Sequence, residues 1–162
     1  MRGTFDDAPL NRLFPRLSPA DVASLEETAR AIDATCADGD RAGWDWTPDH
    51  AIFPGPQPWT SVVLGLDVVQ RRGRGDDVEF QLHVVWTDFG QLAVDTAVNV
   101  ACWCDTDHAG HGVDALRLAV DEETPLPHAF QTGAERLVGW LDDPRDADFW
   151  RDRAGLPPRW SV

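Results

Sequence analysis

The sequence predicts an α+β fold: an antiparallel sheet meander of three to four strands, with an N-terminal helix and two C-terminal helices packed on one face. Three observations carry this. Apolar residues recur at helical spacing before residue 40, alternate at strand spacing from residue 62 to 104, and return to helical spacing after residue 124. Strands grouped between helices are the α+β pattern. With 162 residues, 43% apolar and 26% charged, the chain is expected to form one domain over residues 1–162 with a real core.

The first helix is predicted over residues 19–37. Ser18 is placed to cap it, Pro19 suits its first turn, and Asp21 sits where a capping-box acid belongs. Leu17 and Val22 flank the cap as a hydrophobic staple would. Val22, Leu25, Ala29, Ile32 and Cys36 then form the buried stripe.

Residues 38–59 read as a long loop. They hold Trp44, Trp46, Trp59 and His50, and the alternating Pro54, Pro56 and Pro58 favour an extended path and forbid a central strand. A loop this long is expected either to be pinned by its tryptophans over the core edge or to act as a binding arm.

Three strands follow. Val62, Leu64, Leu66 and Val68 alternate in the first. Val78, Phe80, Leu82, Val84 and Trp86 alternate in the second, and Leu92, Val94, Val98, Val100, Cys102 and Cys104 share parity in the third. Asp88, Phe89 and Gly90 make a three-residue hairpin, with Gly90 at the left-handed position. Thr87 then faces Gln91, so Trp86 meets Leu92, Val84 meets Val94 and Phe80 meets Val98, and the even face is apolar except where Leu82 meets Thr96. A two-residue turn would set Val84 against Asp95 and scramble both faces. Residues 113–120 fit a fourth strand or a short helix. A second helix is expected from Thr124 and Pro125 to Leu141, and a last one from Pro144, carrying Phe149 and Trp150 and closed by Gly155.

Residues 102–111 concentrate potential metal ligands: Cys102, Cys104, Asp105, Asp107, His108 and His111. Zinc needs thiolate sulfurs within about 4 Å. Two residues along a strand are roughly 6.6 Å apart, and both cysteines share parity with core residues. As a calcium loop the stretch has Gly110 at the glycine position, but Ala109 and Leu116 stand where acids are required. His108 and His111 are expected in an exposed Asp-rich turn.

The odd face of the sheet is the better candidate. It gathers Ser61, Val63, Asp67, Glu79, Gln81, His83, Val85, Asp95, Asn99 and Trp103, with small residues Gly65, Ala93, Ala97 and Ala101 between them. Such a surface suits the floor of a ligand pocket with Trp103 at its rim. The register sets His83 opposite Asp95, the best acid–base pair, with Ser61 diagonally across. No Gly-x-Ser-x-Gly elbow and no glycine-rich phosphate loop accompany them.

Twenty-eight acids against fourteen bases give a formal net charge of −14; every base is arginine, and lysine and tyrosine are absent. Codon usage of that kind points to a GC-rich bacterial host. The acidity argues against nucleic-acid partners. No apolar run is long enough to span a membrane and no signal segment is evident, so a cytoplasmic protein is expected. The expected function is a non-enzymatic module binding a protein partner, one that is basic if the acidic surface meets it. By charge and fold analogy it is immunity- or regulator-like. A homodimer is compatible with the same features, and no cofactor is expected. Two alternatives are a small-molecule binder or hydrolase working through His83 and Asp95, and a zinc protein using residues 102–111.

Overall fold

In the computed structural model, which describes residues 14, 16–38, 45–52, 62–71, 78–87, 89–101, 110–143 and 145–156, Ser18 opens α1 (Pro19–Asp38). Its amide and hydroxyl both donate to Asp21 Oδ2 at 2.8 Å, and the Asp21 amide donates back to Ser18 Oγ at 3.2 Å. This reciprocal capping box satisfies donors that a helix start leaves open. The Ser18 hydroxyl, then its amide, hold the Asp21 carboxyl below its usual range. Leu17 and Val22 pack against the core as the staple predicts.

The strands are β1 (Asp45–Ile52), β2 (Val62–Arg71), β3 (Val78–Trp86), β4 (Leu92–Ala101) and β5 (Gly110–Ala119), followed by α2 (Leu126–Asp142) and α3 (Ala147–Arg153). They form one antiparallel sheet in the order β1-β2-β3-β4-β5, a meander without crossovers. The α+β class and the meander are as the sequence predicts, while the strand count is one higher.

The extra strand corrects the reading of residues 38–59 as loop. Asp45–Ile52 pairs with β2, setting Trp46 opposite Gln70, Pro48 opposite Val68 and His50 opposite Leu66. Its acids and its proline hide it from a hydrophobicity pattern. An edge strand tolerates both, because a proline there need not donate to a neighbour. Trp44, Trp59, Pro54, Pro56 and Pro58 lie outside the described residues.

The β3–β4 hairpin matches its predicted register from Val78–Val100 to Trp86–Leu92, including Leu82–Thr96 and His83–Asp95. The Thr87 amide donates to Gln91 O at 2.8 Å, and Gly90 sits at φ +73°, a left-handed conformation that favours glycine. Phe89 stands 93% exposed beside it. Residues 113–119 are strand: Leu118 meets Val94 and Leu116 meets Thr96, up to a bulge near Asp114, whose φ is 51°. A second bulge between Val62 and Leu64 shifts parity, so Val63 joins the core and not the polar face expected of it, and Val62 is opposite Val85.

The core lies between the even face of the sheet and the helices. Leu64, Leu66, Phe80, Leu82 and Val98 are fully buried against Leu25 and Ile32 of α1 and Phe130 and Leu137 of α2. Cys36 closes the α1 stripe. Burial, then the nearby Asp33 carboxylate, pushes its thiol up to about 12, which leaves little nucleophilic thiolate near neutral pH. At one end Phe80, Trp140 and Trp150 form an aromatic trio with ring centroids 6.0 to 6.3 Å apart. There Gln70 Nε2 donates to Arg145 O at 3.3 Å and ties β2 to the segment entering α3. α3 opens on Asp146, whose carboxylate accepts from the Phe149 amide at 2.8 Å, and Gly155 follows it at φ +69°. The Asp114 bulge fastens both C-terminal helices: Arg136 donates to its carbonyl at 2.9 Å and Arg153 bonds its carboxylate.

Thr96 is the one polar residue in the apolar pairing of β3 with β4. It is buried, and its hydroxyl has no hydrogen-bond partner. Desolvating a hydroxyl without compensation costs about 1 kcal/mol or more. Thr96→Val keeps the shape and removes that cost, so its urea midpoint should rise by the equivalent of about 1 kcal/mol; a lower midpoint would show that the hydroxyl contributes a bond.

Two glycines of α2 should respond in opposite directions. A Cβ on Gly133 would meet Leu82 Cδ1 at 2.7 Å and Thr96 Cγ2 at 2.9 Å, whereas one on Gly139 would meet nothing within 4 Å. Gly133→Ala therefore overpacks the core, at a cost of about 1 kcal/mol or more. Gly139→Ala gains helix propensity of up to about 1 kcal/mol. Thermal unfolding of the two variants checks the pair, and equal shifts would refute the placement of these faces.

Candidate functional site

The polar face of the sheet is assembled by register. Gly65, His83, Asp95 and Arg117 lie in one row across β2 to β5. Asp67 and Gln81 lie in the next row, and Val69, Glu79, Asn99 and Gly112 in the one after it. Strand alternation turns these side chains away from the helices.

His83 and Asp95 are direct cross-strand neighbours, as predicted, but they do not form the expected pair. His83 Nε2 lies 2.5 Å from Asp67 Oδ1 on β2. Asp95 is held instead by Arg117 on β5, through Nε at 2.7 Å and Nη2 at 2.6 Å. A bidentate guanidinium occupies both carboxylate oxygens and is the stronger partner. On the other side, Gly65 has no side chain, so the imidazole can lean diagonally across β2 to Asp67. The side chains of His83 and Asp67 are only 17% and 23% exposed, against 29% for Asp95 and 61% for Arg117.

The Asp67–His83 contact has a chemical consequence. An ionised carboxylate only accepts, so Nε2 is the nitrogen that donates to Asp67, and in an uncharged imidazole Nδ1 is then an acceptor. Beside it, Glu79 Oε2 accepts from Gln81 Nε2 at 2.9 Å and from Asn99 Nδ2 at 3.3 Å. The polar groups expected to bind a ligand are thus engaged with one another in three small networks.

Of the remaining sequence candidates, Ser61, Trp103, Cys102, Cys104, Asp105, Asp107 and His108 lie outside the described residues. His111 is not in an exposed turn. It is a half-buried residue of β5 opposite Val100, because pairing with β4 begins at Gly110. A Cβ on Gly110 would meet Asn99 Oδ1 at 2.5 Å, so close strand approach explains this glycine without a calcium loop. Among the described residues no group of three or more His, Cys, Asp or Glu could hold a metal ion, and no helix is long and apolar enough to cross a membrane.

No protein family, curated protein or solved structure matches this chain. The site must therefore be read from its geometry alone.

Sequence reasoning missed Asp67 and Arg117 as partners. Arg117 was legible in principle: with Leu116 and Leu118 on the core face, residue 117 falls on the polar face, where an arginine suits Asp95. It also missed a second concavity on the opposite side of the molecule. Between α1 and α2 runs a groove of about 540 Å³. Ala31, Ile32, Ala134 and Val138 line it, with Glu27 on one wall and Glu135 and Asp142 on the other.

Double-mutant cycles should separate the two histidine neighbours. Substituting Asp67 and His83 singly and together by alanine should reveal a coupling on the order of 1 kcal/mol, as for a partly exposed ion pair. The His83/Asp95 cycle should show a smaller coupling than the Asp67/His83 cycle, since these cross-strand neighbours share no bond. Nitrogen NMR of the His83 ring should report the Nε2–H tautomer in the parent protein and in Asp95→Asn, and lose that bias in Asp67→Asn.

Proposed function

We propose that this chain is a non-enzymatic binding module that holds a basic protein partner against its helix layer. The observation that supports this reading best is the groove between α1 and α2. Exposed Ala31 and half-buried Val138, beside the open Gly139, give apolar contact area, while Glu27, Glu135 and Asp142 surround it with negative charge. Among the described residues no arginine pairs with any of these three carboxylates; Glu135 only accepts from Gln131 Nε2, at 3.1 Å. With a net charge of −14 the whole molecule attracts cationic surfaces and repels nucleic acid. The proposed setting is the cytoplasm, and the proposed role is that of an inhibitor or regulator of its partner.

A second reading, a small-molecule binder or hydrolase, is favoured by one observation. Asp67 orients His83 as a carboxylate orients a catalytic imidazole, which leaves Nδ1 as a base. Asp95, engaged by Arg117, is not its partner in that reading.

Crosslinking in the source cells, followed by reconstitution with the purified partner, decides between the two. The module reading expects one basic protein at fixed stoichiometry, its affinity falling as salt rises toward about 0.5 M. A neutral partner insensitive to salt would overturn it. So would the absence of any partner together with a small-molecule thermal shift lost in His83→Ala.

A further inference from the structure

We infer that the occupant of the α1–α2 groove is an amphipathic α-helix of the partner carrying arginine or lysine seven residues apart. This deepens the function proposed above and rests on it. The lining residues of α2 stand at 131, 134, 135, 138, 139 and 142, and those of α1 at 24, 27, 28, 31 and 32. Each set repeats by steps of three and four, so each helix presents one straight stripe to the groove. The α2 stripe covers twelve residues, eleven steps or about 16 Å along the axis at 1.5 Å per residue. A channel walled by two such stripes is linear and fits a rod lying along it.

The floor favours a helix as that rod. Helices pack at interaxial distances of about 8–10 Å when small side chains lie beneath them. Ala31, Ala134 and Gly139 are small, and the space above Gly139 is open. An extended peptide would instead seek unpaired strand backbone at β1 or β5, the edges of the sheet.

Charge fixes the rest. Glu135 and Asp142 are seven residues apart on one helix, two turns or about 10 Å, and Glu27 faces them from α1. Cations two turns apart on one flank of the occupant meet the α2 pair, and one on the other flank meets Glu27. A second copy of this chain, itself at −14, is repelled as a whole, as is an anionic membrane surface.

The test uses the full chain, labelled with ¹⁵N, and a synthetic helical peptide of about 18 residues with leucine on one face and arginine at heptad spacing. A peptide with glutamate in place of arginine is the control. Titration should shift the amides of Ala31, Gln131, Val138 and Gly139, with no response to the control. Gly139→Trp, placed in open space, should fill the groove and weaken binding at least about tenfold, as should Glu135→Arg, which reverses one wall; cooperative melting at a temperature no lower than the parent's shows that both variants fold. The inference is overturned if shifts scatter over the acidic surface, or if Gly139→Trp binds the peptide as the parent does. It also falls if the natural partner crosslinks to the outer surface of α1 or α2 but not along the groove between them, an outcome that leaves the module reading standing.

Discussion

The pairing of Thr87 with Gln91 across the turn that holds Phe89 and Gly90 determines what each face of the sheet is. Side chains alternate along a strand, so a slip of one residue would exchange the two faces of β4. The three-residue turn needs a left-handed residue, and Gly90 supplies it at φ +73°. From that one register follow the contacts of Phe80 with Val98 and of Val84 with Val94, the apolar face on which α1 and α2 settle, and the meeting of His83 with the row of Asp95.

What the polar face does chemically depends on competition among its charges. Asp95 lies between two cationic or potentially cationic neighbours, Arg117 on β5 and His83 on β3. The guanidinium is always charged and grips both oxygens, so it takes Asp95. The imidazole is left to Asp67, which it reaches over Gly65. Two separate carboxylate contacts, Asp95 with Arg117 and Asp67 with His83, result where strand register alone suggests one. The face that looks like an open acid–base site is therefore largely satisfied within itself, while on the helix side Glu27, Glu135 and Asp142 have no arginine partner among the described residues.

The helix layer has two characters. Toward the sheet, Gly133 lets α2 approach Leu82 and Thr96 closely, and Phe130 and Leu137 fill the core. Away from it, Gly139 faces open space and the acidic stripe begins. One helix thus packs against the core on one side and presents an open, acidic surface on the other, six residues separating the two glycines. The Asp114 bulge, bonded by Arg136 and Arg153, anchors this layer at its C-terminal end.

Much of this was legible in the chain. Ser18 and Asp21 announced α1, the alternation in β2 to β4 announced the meander, and the hairpin register placed Thr96 as the polar exception in the core. Such features rest on local rules of capping, alternation and turn geometry, which act within a few residues. β1 was not legible, because an edge strand bearing Pro48 and two aspartates needs only backbone pairing to β2 and no hydrophobic pattern. Nor was the choice of partner for His83, which turns on an arginine 34 positions away in β5 and a glycine in β2. The sequence by itself determined the faces of the elements, since periodicity alone assigns a side chain to core or solvent. Only the tertiary structure decided which charges meet and that α1 and α2 leave a groove between them, because both depend on how distant segments lie side by side.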